Sequence, residues 1–470
     1  MPKRQVTIET RLENRSPLVC YLNAYVADYS HIKRKMWYEM TAKNYSARFN
    51  NIAEYKKYCR QHYGLLGRTV NSLVFEIQGI MLAYMELKKT ELKALEIKIN
   101  SKIRKIADIK SKLDKLKILA VKYCLTKEKL AYYNSLKQSL YFQKNKLNKM
   151  NQKKKKLIYQ IKNKVYDICF GTKSQYSKQY RLSENGYKSH EKWYHNFVKA
   201  RDKNILYIGA SNESFGNQMV QMIYHSDTDD FSLKIRMENA YCNNDKYVTV
   251  EHINFKYRKE ELKTIIQNYA DKKVNKIPLT YRFHRKGNKW YIQVIFPFEF
   301  AESDYRTVSR YGVCGLDYND GFIELAETNE SGNLVNIVHY DLHEHGTGNK
   351  AKTEIRQVIS KIVKYAEIKG KDISIENLDF KRTKAHQDKS GKAKGRKYNR
   401  MLHIFDYHRY METMQNTALN HKVRIILVNP KNTSKIGKQK YADKKKLTVH
   451  QSAAYVIARK AQGYFDRLTV

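Results

Sequence analysis

The chain has 470 residues, with 90 Lys and Arg against 46 Asp and Glu, and a formal net charge of +44 at pH 7. This length allows about two to four domains with a sizeable core. Because so large a positive excess opposes compaction unless a polyanion neutralises it, nucleic acid is the leading partner. A basic peripheral membrane protein is the alternative. The sequence has no amphipathic anchor, no lipidation signal and no run of about 18 apolar residues, so we expect no membrane partner.

The cysteines and the N-terminus indicate the compartment. Six Cys occur and none forms a Cys-x-x-Cys pair, so local pairs cannot build a zinc ribbon or a thioredoxin-type site. Unpaired, scattered cysteines are typical of a reducing cytoplasm. The first residues, "MPKRQVTIETRLENRSP", lack the apolar core of a signal peptide, so we expect a soluble protein that is not exported.

The first half of the chain reads mainly as long helices. Residues 4–13 alternate like a short strand, and no proline occurs between Pro17 and Pro278. Apolar residues recur at helical spacing over 70–118 and again over 136–165, and the join near residues 121–126 predicts an antiparallel hairpin. Residues 85–166 hold 24 Lys and Arg against 6 Asp and Glu. A solvated helix face is the usual reason for such a stripe, but this excess is one-sided, and we favour nucleic-acid contact.

A β-rich module follows over about residues 203–300. Its short alternating runs are "ILYIGAS", "FSLKIRM", "KYVTVEHINF" and "LTYRFHRKGNKWYIQVIF", with a hairpin turn at Lys286–Lys289. We expect the N-terminal strand to complete this module. Tyrosines and phenylalanines interleaved with lysines suit stacking on the bases of RNA or single strands, although core packing explains most of them.

Residues 311–470 show a recognisable chain order. The strands "YGVCGLDYN", "FIELAETN" and "LVNIVHYDL" come first, with "ESGN" as a turn between the last two. Helices near 350–366, 400–420 and 448–462 then alternate with the strands "DISIENL" and "VRIILVNP". Three strands followed by alternating helices and strands predict an RNase H-like fold. The Lys- and Gly-rich stretch 381–400 predicts a mobile basic loop near the end of the "DISIENL" strand.

Two carboxylates mark a candidate site in this region. Asp317 follows the apolar run "VCGL", and Glu376 closes "ISIE". In the predicted order these are the first and fourth strands, neighbours at the sheet centre, and two close carboxylates favour a cation between them. Carboxylate oxygens suit Mg²⁺ or Mn²⁺, and two such ions can hydrolyse a phosphodiester. Taken singly, Asp317 could instead cap a turn and Glu376 could sit at an exposed strand end; the chain order and the positive charge of the protein favour metal binding.

These residues resemble a known family. "GLDYNDGFIELAETNESGN", "ISIENLDF" and "NPKNTSKIGKQKY…HQSAAYVIARK" are similar to the RuvC nuclease motifs of TnpB proteins, the transposon-encoded RNA-guided DNA endonucleases related to type V CRISPR effectors. "CFGTKSQY…ENGYKSHEKWYHNFVKARDKNILYIGASNESFGNQ" is also similar to a segment of some TnpB-related proteins. The resemblance is specific over residues 311–470, moderate over 169–218 and weak over the basic helices.

The resemblance implies an α/β plus α-helical architecture. Residues 1–28 and 203–303 would form a wedge β-barrel, residues 29–202 an inserted basic helical recognition lobe, and residues 304–470 an RNase H-like RuvC domain. It also implies a structured guide RNA, a double-stranded DNA target whose adjacent motif the protein reads itself, and a bacterial cytoplasmic location with the nucleoid. Base pairing would read the sequence while the protein holds the backbone.

The resemblance also assigns the site residues. Asp317 matches the first family Asp and Glu376 the family Glu, while His450 stands where the pattern has an Asp opening Asp-x-Asn-Ala-Ala. The family's zinc-ribbon cysteines are absent, so we expect no zinc. Neutral His can ligate Mg²⁺ or Mn²⁺ or act as a general base, and the alternative is a surface histidine at a helix start. Asp443 is a weaker substitute, since "ADKKK" reads as a solvated loop.

The segment "NTSKIGKQKY" is a further candidate nucleic-acid contact. Its hydroxyls would bind phosphate or cap a helix, and its lysines would hold the backbone; these residues are Thr433, Ser434, Lys435, Lys438 and Lys440. Arg459 and Lys460 are either helix C-terminal charges or phosphate contacts, and the sequence does not separate these.

Three functions remain after this reading. The leading hypothesis is an RNA-guided, metal-dependent DNA endonuclease that uses Asp317, Glu376 and His450. The runner-up is a nuclease-dead, RNA-guided DNA-binding regulator in which His450 marks the loss of cutting. A basic RNA-binding scaffold is the third. Retention of both Asp317 and Glu376 argues against the second.

Overall fold

The fold is described from a computed structural model of the chain. The structure describes residues 4–123, 126–242, 244–270, 276–298, 304–319, 321–343, 349–377 and 407–468, and the predicted mobile loop 381–400 lies outside these ranges. The chain divides into two compact units, Met1–Glu299 and Phe300–Val470. Within the described ranges, long helices and three sheets occur together, which confirms the α/β plus α-helical class. A helix long and apolar enough to cross a membrane does not occur in those ranges.

The first unit is mostly helical. Ser16 caps its first helix by accepting a hydrogen bond from the Val19 amide, and Pro17 opens the helix, where its missing N–H costs nothing. The helices described in this unit are α1 (Pro17–Thr41), α2 (Tyr45–Arg48), α3 (Ile52–Tyr63), α4 (Gly67–Lys122), α5 (Lys127–Lys162), α6 (Lys173–Ser177), α7 (His190–Arg201) and α8 (Lys259–Gln267).

The predicted helical hairpin is confirmed. Helices α4 and α5 have 56 and 36 residues and run antiparallel, because the end of α4 packs on the start of α5 and the middle of α4 on its end. The buried seam consists of two small clusters, formed by Ile109, Leu113, Leu116 and Leu136, and by Leu95, Ile99 and Leu157. The other faces of both helices are left to solvent, and they carry the lysines of this region.

The strands of the first unit form two antiparallel sheets. They are β1 (Arg4–Arg11), β2 (Asn204–Tyr207), β3 (Val220–His225), β4 (Asp230–Arg236), β5 (Tyr247–Ile253), β6 (Thr280–Lys286) and β7 (Lys289–Phe298). One sheet has the order β1-β7-β6-β2 and the other β3-β4-β5. The N-terminal strand joins the module by pairing with β7, and the tight turn at Lys286–Lys289 is present, as predicted. Closure of these strands into one barrel stays a prediction.

Three details of this module differ from the sequence prediction, and the first is strand β3, Val220–His225, which lies outside the predicted runs. The strand predicted over "ILYIGAS" ends at Tyr207, because the Ile208 amide donates to Ser72 Oγ and Gly209 passes very close to the backbone of Leu279. Helix α8 was not predicted. Its nine residues bury only Leu262, Ile265 and Ile266, and this apolar stripe is too short to be recognised as helical periodicity in a region of strands.

The second unit is built on a mixed five-stranded sheet of order β10-β9-β8-β11-β12. Strands β8 to β10 are antiparallel to one another, and β11 runs parallel to both β8 and β12. The strands are β8 (Val313–Asn319), β9 (Phe322–Thr328), β10 (Leu334–Asp341), β11 (Asp372–Glu376) and β12 (Ile425–Val428). The helices described are α9 (Asn349–Lys369), α10 (Tyr407–Asn420), α11 (Thr433–Gly437), α12 (Asp443–Lys445) and α13 (Val449–Ala461), with a π-helical turn at Lys438–Ala442.

The two faces of this sheet are covered differently. On one face, Cys314 and Leu316 of β8 and Ile375 of β11 pack in one apolar cluster with residues of α9 and α10. On the other face the strands carry small residues, and α13 lies directly on them. Because side chains alternate along a strand, Asp317 and Glu376 fall on the α13 face.

Candidate functional site at the start of helix α13

The small residues of the sheet let α13 approach closely. A Cβ on Gly315 would lie 2.2 Å from the Ala454 carbonyl oxygen and 2.5 Å from the Ala458 nitrogen, so only glycine fits there. Ser374 Oγ on β11 donates to the Ile457 carbonyl at 3.2 Å. The helix starts with a capping box in which Thr448 and Gln451 satisfy each other's backbone amides. These contacts fix the first turn of α13 over the ends of β8 and β11.

Asp317 and Glu376 occupy the same level of adjacent parallel strands. The register pairs Ile375 with Leu316, so the next residue on each strand is one of the two acids. Burial raises the pKa of Glu376, and the nearby charge of Asp317 raises it further, against a hydrogen bond from Thr433 and the charge of Lys460. The structure therefore brings together the two carboxylates that the sequence singled out.

His450 lies in the first turn of α13 and contacts Asp317 directly. Its Nδ1 is 2.9 Å from Asp317 Oδ2, with the imidazole half exposed and the carboxylate 13% exposed. The hydrogen bond that His450 donates to Asp317 raises the pKa of His450; partial burial opposes the shift, and the charges of Asp317 and Glu324 add to it. The ring also meets Phe322 edge-on, with centroids 5.2 Å apart. The contact with Asp317 agrees with the assignment of His450 to the site, because a histidine that is merely exposed at a helix start needs no carboxylate partner.

Thr433 is buried and contacts Glu376, so its hydroxyl is not available at the surface. Its hydroxyl donates to Glu376 Oε1 at 2.5 Å, and the residue is only 3% exposed. Ser434, Lys435 and Lys438 of the same segment are exposed and accessible to a ligand. Lys440 Nζ lies 3.8 Å from Asp466 Oδ1, so this carboxylate partly neutralises the charge of Lys440.

The two charged residues at the end of α13, Arg459 and Lys460, contact different partners. Arg459 Nε donates to Asp466 Oδ2 at 2.8 Å and stacks over Tyr464, so it holds the C-terminal segment against the helix. Lys460 Nζ donates to the carbonyls of Asn429 and Lys431 at 3.1 and 2.7 Å, near Glu376. Asp443, the weaker candidate for the third ligand, is exposed on α12.

A third acid beside this pair was missed by the sequence reasoning. Glu324 on β9 is the register partner of Asp317, and it is 3% exposed. Its Oε1 accepts a hydrogen bond from His339 Nδ1 at 2.8 Å. The sequence signal that could have identified Glu324 was its charge within the otherwise apolar run "FIELA".

A cationic pocket in the first unit was also missed. This pocket, of about 590 Å³, lies between α3, the start of α4 and the β3-β4-β5 sheet. Its lining is Ala53, Lys56, Arg60, Leu66, Gly67, Arg68, Asn71, Gln218, Met219, Arg236 and Tyr247, a set with four cations and no carboxylate. In the described part of the chain, Arg60 has no hydrogen bond or ion pair, and Lys56 only stacks over Phe75.

The acids of the second unit fit a hydrated divalent cation. Within the described ranges, no three His, Cys, Asp or Glu side chains are gathered closely enough to hold an ion by themselves. Mg²⁺ does not need such a cage, since it keeps several waters and takes one or two carboxylates plus substrate phosphates. Asp317 and Glu376 supply two carboxylates whose mutual repulsion a cation would relieve.

Comparisons with known proteins give similarities to solved structures only. Neither a known family model nor a curated protein matches the chain. Among solved structures, the chain is similar to the protein of a Cas12f1–sgRNA–target DNA complex. The identity is 12% and the TM-score 0.22, over 83% of this chain and 97% of that one.

Proposed function

We propose that the protein is an RNA-guided DNA endonuclease with a RuvC-type, divalent-metal-dependent site in its second unit. The observation that carries the proposal is the placement of Asp317 and Glu376 side by side on β8 and β11, under the first turn of α13. The strand order, with β11 parallel to β8 and an antiparallel second strand, supports an RNase H-like domain.

The residues of the site would divide the work. Asp317 and Glu376 would hold Mg²⁺ or Mn²⁺, which when bound supplies an activated water and charge stabilisation for phosphodiester hydrolysis. His450 and Asn319 both donate to Asp317 Oδ2 at 2.9 Å and orient that carboxylate. Thr433 orients Glu376 in the same way. Lys460 adds a positive charge close to Glu376.

The first unit provides surfaces for a polyanion. The α4–α5 hairpin leaves lysines on its outer faces, and the pocket beside α3 presents Arg60 and Lys56 with no acidic partner. Such cations are suited to phosphate groups, whose contacts dominate affinity for nucleic acid. The identity of the partners, a structured guide RNA and a double-stranded DNA target, rests on the resemblance of the sequence motifs to TnpB.

The test uses the full-length protein purified from cells at moderate salt. We expect it to copurify with a structured RNA of more than about 100 nucleotides, since a charge of +44 needs a comparable polyanion. With that RNA, Asp317→Ala and Glu376→Ala should each abolish metal-dependent DNA cleavage and keep guide-dependent binding. Glu330→Ala, in the exposed β9–β10 turn, is the matched control. Absence of copurifying RNA at moderate salt, or binding lost together with cleavage, would refute the proposal.

A nuclease-dead, RNA-guided regulator is the second candidate. It is favoured by the replacement of an expected acid with His450, which the structure places in a hydrogen bond to Asp317. Guide-dependent DNA binding by the wild-type protein, with no cleavage in either Mg²⁺ or Mn²⁺, would select this function instead.

A further inference from the structure

Four titratable residues form a row across the sheet of the second unit. Glu324 on β9 is the register partner of His339 on β10 and of Asp317 on β8, and Glu376 on β11 occupies the next position. Residues paired across neighbouring strands point to the same face, with Cβ atoms about 4.5–5.5 Å apart. Glu324 therefore lies on the α13 face, immediately beside Asp317.

The Glu324 carboxylate is buried and only half satisfied. Its side chain is 4% exposed, and Oε1 accepts from His339 Nδ1 at 2.8 Å. The other oxygen, Oε2, is buried without a hydrogen-bond partner among the residues that the structure describes. Leaving a buried acceptor unpaired is unfavourable, and more so for a charged group, so such an atom calls for an explanation.

A second buried glutamate on the same strand shows what full satisfaction looks like. Glu327 points to the opposite face and is 2% exposed. Lys371 Nζ donates to its Oε1 at 2.5 Å, and Tyr365 donates to its Oε2. Strand β9 thus carries two buried carboxylates. Both oxygens of Glu327 accept hydrogen bonds, whereas Oε2 of Glu324, beside the candidate cation site, has no partner among the described residues.

From this geometry we infer that Glu324 is a third carboxylate of the Asp317–Glu376 cation site, acting through Oε2 as an acceptor for water held by the ion. The inference rests on the proposed function, since it assumes the cation. A role through water agrees with the absence of a direct three-ligand cluster in the described ranges. It also restores the negative charge that the site lacks with His450 in place of an acid, because hydrated Mg²⁺ is held by carboxylates that accept from its waters.

The test measures metal binding without cleavage. Full-length protein is stripped of RNA in high salt, returned to low salt, and titrated with Mn²⁺ while electron paramagnetic resonance reports the free ion. We expect Glu324→Gln to weaken binding about 10-fold, the lower end of the usual effect of an outer-shell partner. Glu324→Asp keeps the negative charge but moves it back by one methylene, so its Mn²⁺ affinity should lie between those of the wild type and of Glu324→Gln. Glu327→Gln is the matched control and should keep wild-type affinity, and Asp317→Asn should lose the site.

Melting of the metal-free protein separates a metal role from a structural one. Glu324→Gln keeps the acceptor for His339 and removes a buried negative charge beside Asp317, so its metal-free melting temperature should be unchanged or higher. Glu327→Gln should melt lower because Lys371 loses its charged partner. Wild-type affinity in Glu324→Gln would overturn the inference and leave the proposed function standing. No Mn²⁺ binding by the wild-type chain would overturn both. Glu324→Asp carries the same test if the Gln variant fails to fold.

Discussion

His450 Nδ1 lies 2.9 Å from Asp317 Oδ2, which joins the first turn of α13 to the end of β8. Asn319 Nδ2 donates to the same oxygen at 2.9 Å, so two donors fix the orientation of one carboxylate. A His in this position can act on a bound ion by orienting Asp317 as well as by direct ligation. The distance between the two atoms agrees with both roles, and variants at residue 450 distinguish them.

We predict that His450→Ala lowers DNA cleavage by the guide-loaded protein about 10- to 100-fold, because Asp317 loses one of its two donors and the site one possible ligand. His450→Asp should lower the Mg²⁺ concentration needed for half-maximal cleavage, since it returns a negative charge to the site. Plasmid cleavage is titrated against Mg²⁺ and Mn²⁺, with His31→Ala, an exposed histidine of α1, as the control. Full activity of His450→Ala would make it a bystander and redirect attention to Asp443.

The hydroxyl of Thr433 should matter through Glu376. Thr433→Val keeps the shape of the buried side chain but removes the donor to Glu376 Oε1, so cleavage should fall about 10-fold while guide-dependent DNA binding stays. Thr433→Ser should retain most of the activity. Ser434→Ala changes the adjacent exposed hydroxyl and serves as the control. Equal losses in the Val and Ser variants would mean that packing, and not the hydrogen bond, is what Thr433 provides.

Much of the second unit could be predicted because its signals are local. The strands ending at Asp317 and Glu376 are short apolar runs with clear turns, and their chain order predicted them as neighbours, which the pairing of β8 with β11 confirms. The predicted helix near 448–462 is observed at Val449–Ala461, and its first turn faces Asp317 as expected. The predicted antiparallel hairpin is confirmed for the same reason, since its two apolar stripes lie within single helices.

The features that were missed depend on contacts between distant segments. The place of Glu324 follows from the register of β9 against β8, because a shift of one residue would put it on the opposite face. The pocket around Arg60 combines residues 53–71 with residues 218–247, and no local pattern links these segments. Thr433 was assigned to capping or phosphate because its partner, Glu376, is 57 residues away along the chain.

The close approach of α13 to the sheet should make Gly315 intolerant of a side chain. In Gly315→Ala the new methyl meets the backbone of Ala454 and Ala458, so the helix must move away and carry His450 with it. We expect a loss of about 1–3 kcal/mol in stability, as for other overpacked sites, together with loss of metal-dependent cleavage. Gly79→Ala, in the open interior of α4, should instead stabilise the protein by about 0.5–1 kcal/mol. A Gly315→Ala protein with wild-type melting and cleavage would contradict this packing.

The cationic pocket of the first unit should bind phosphate. Arg60→Ala should weaken nucleic-acid binding to a similar extent for different sequences, and lower the slope of log affinity against log salt by about 1, because one phosphate contact is lost. Stability should not change, since Arg60 has no ion pair among the described residues. Lys35→Ala, an exposed cation of α1 outside the pocket, is the control. An unchanged salt slope for Arg60→Ala would exclude this pocket from the interface.

The ionic contacts of Glu367 should make the second unit sensitive to acid. Partial burial alone would raise the pKa of Glu367, but hydrogen bonds from His421 and Arg306 outweigh it and hold the pKa below its usual value. A lowered folded-state pKa contributes stability above the unfolded value of about 4.3, and that stability is lost as the pH falls through the folded pKa. Glu367→Gln should therefore melt about 2 °C lower at pH 7, a small effect because the pair is partly exposed, and the difference should shrink as the pH falls through the folded-state pKa. Thermal unfolding of both proteins across this range is the measurement, with Glu330→Gln in an exposed turn as the control. A difference that stays constant with pH would show that shape, and not charge, is what Glu367 contributes.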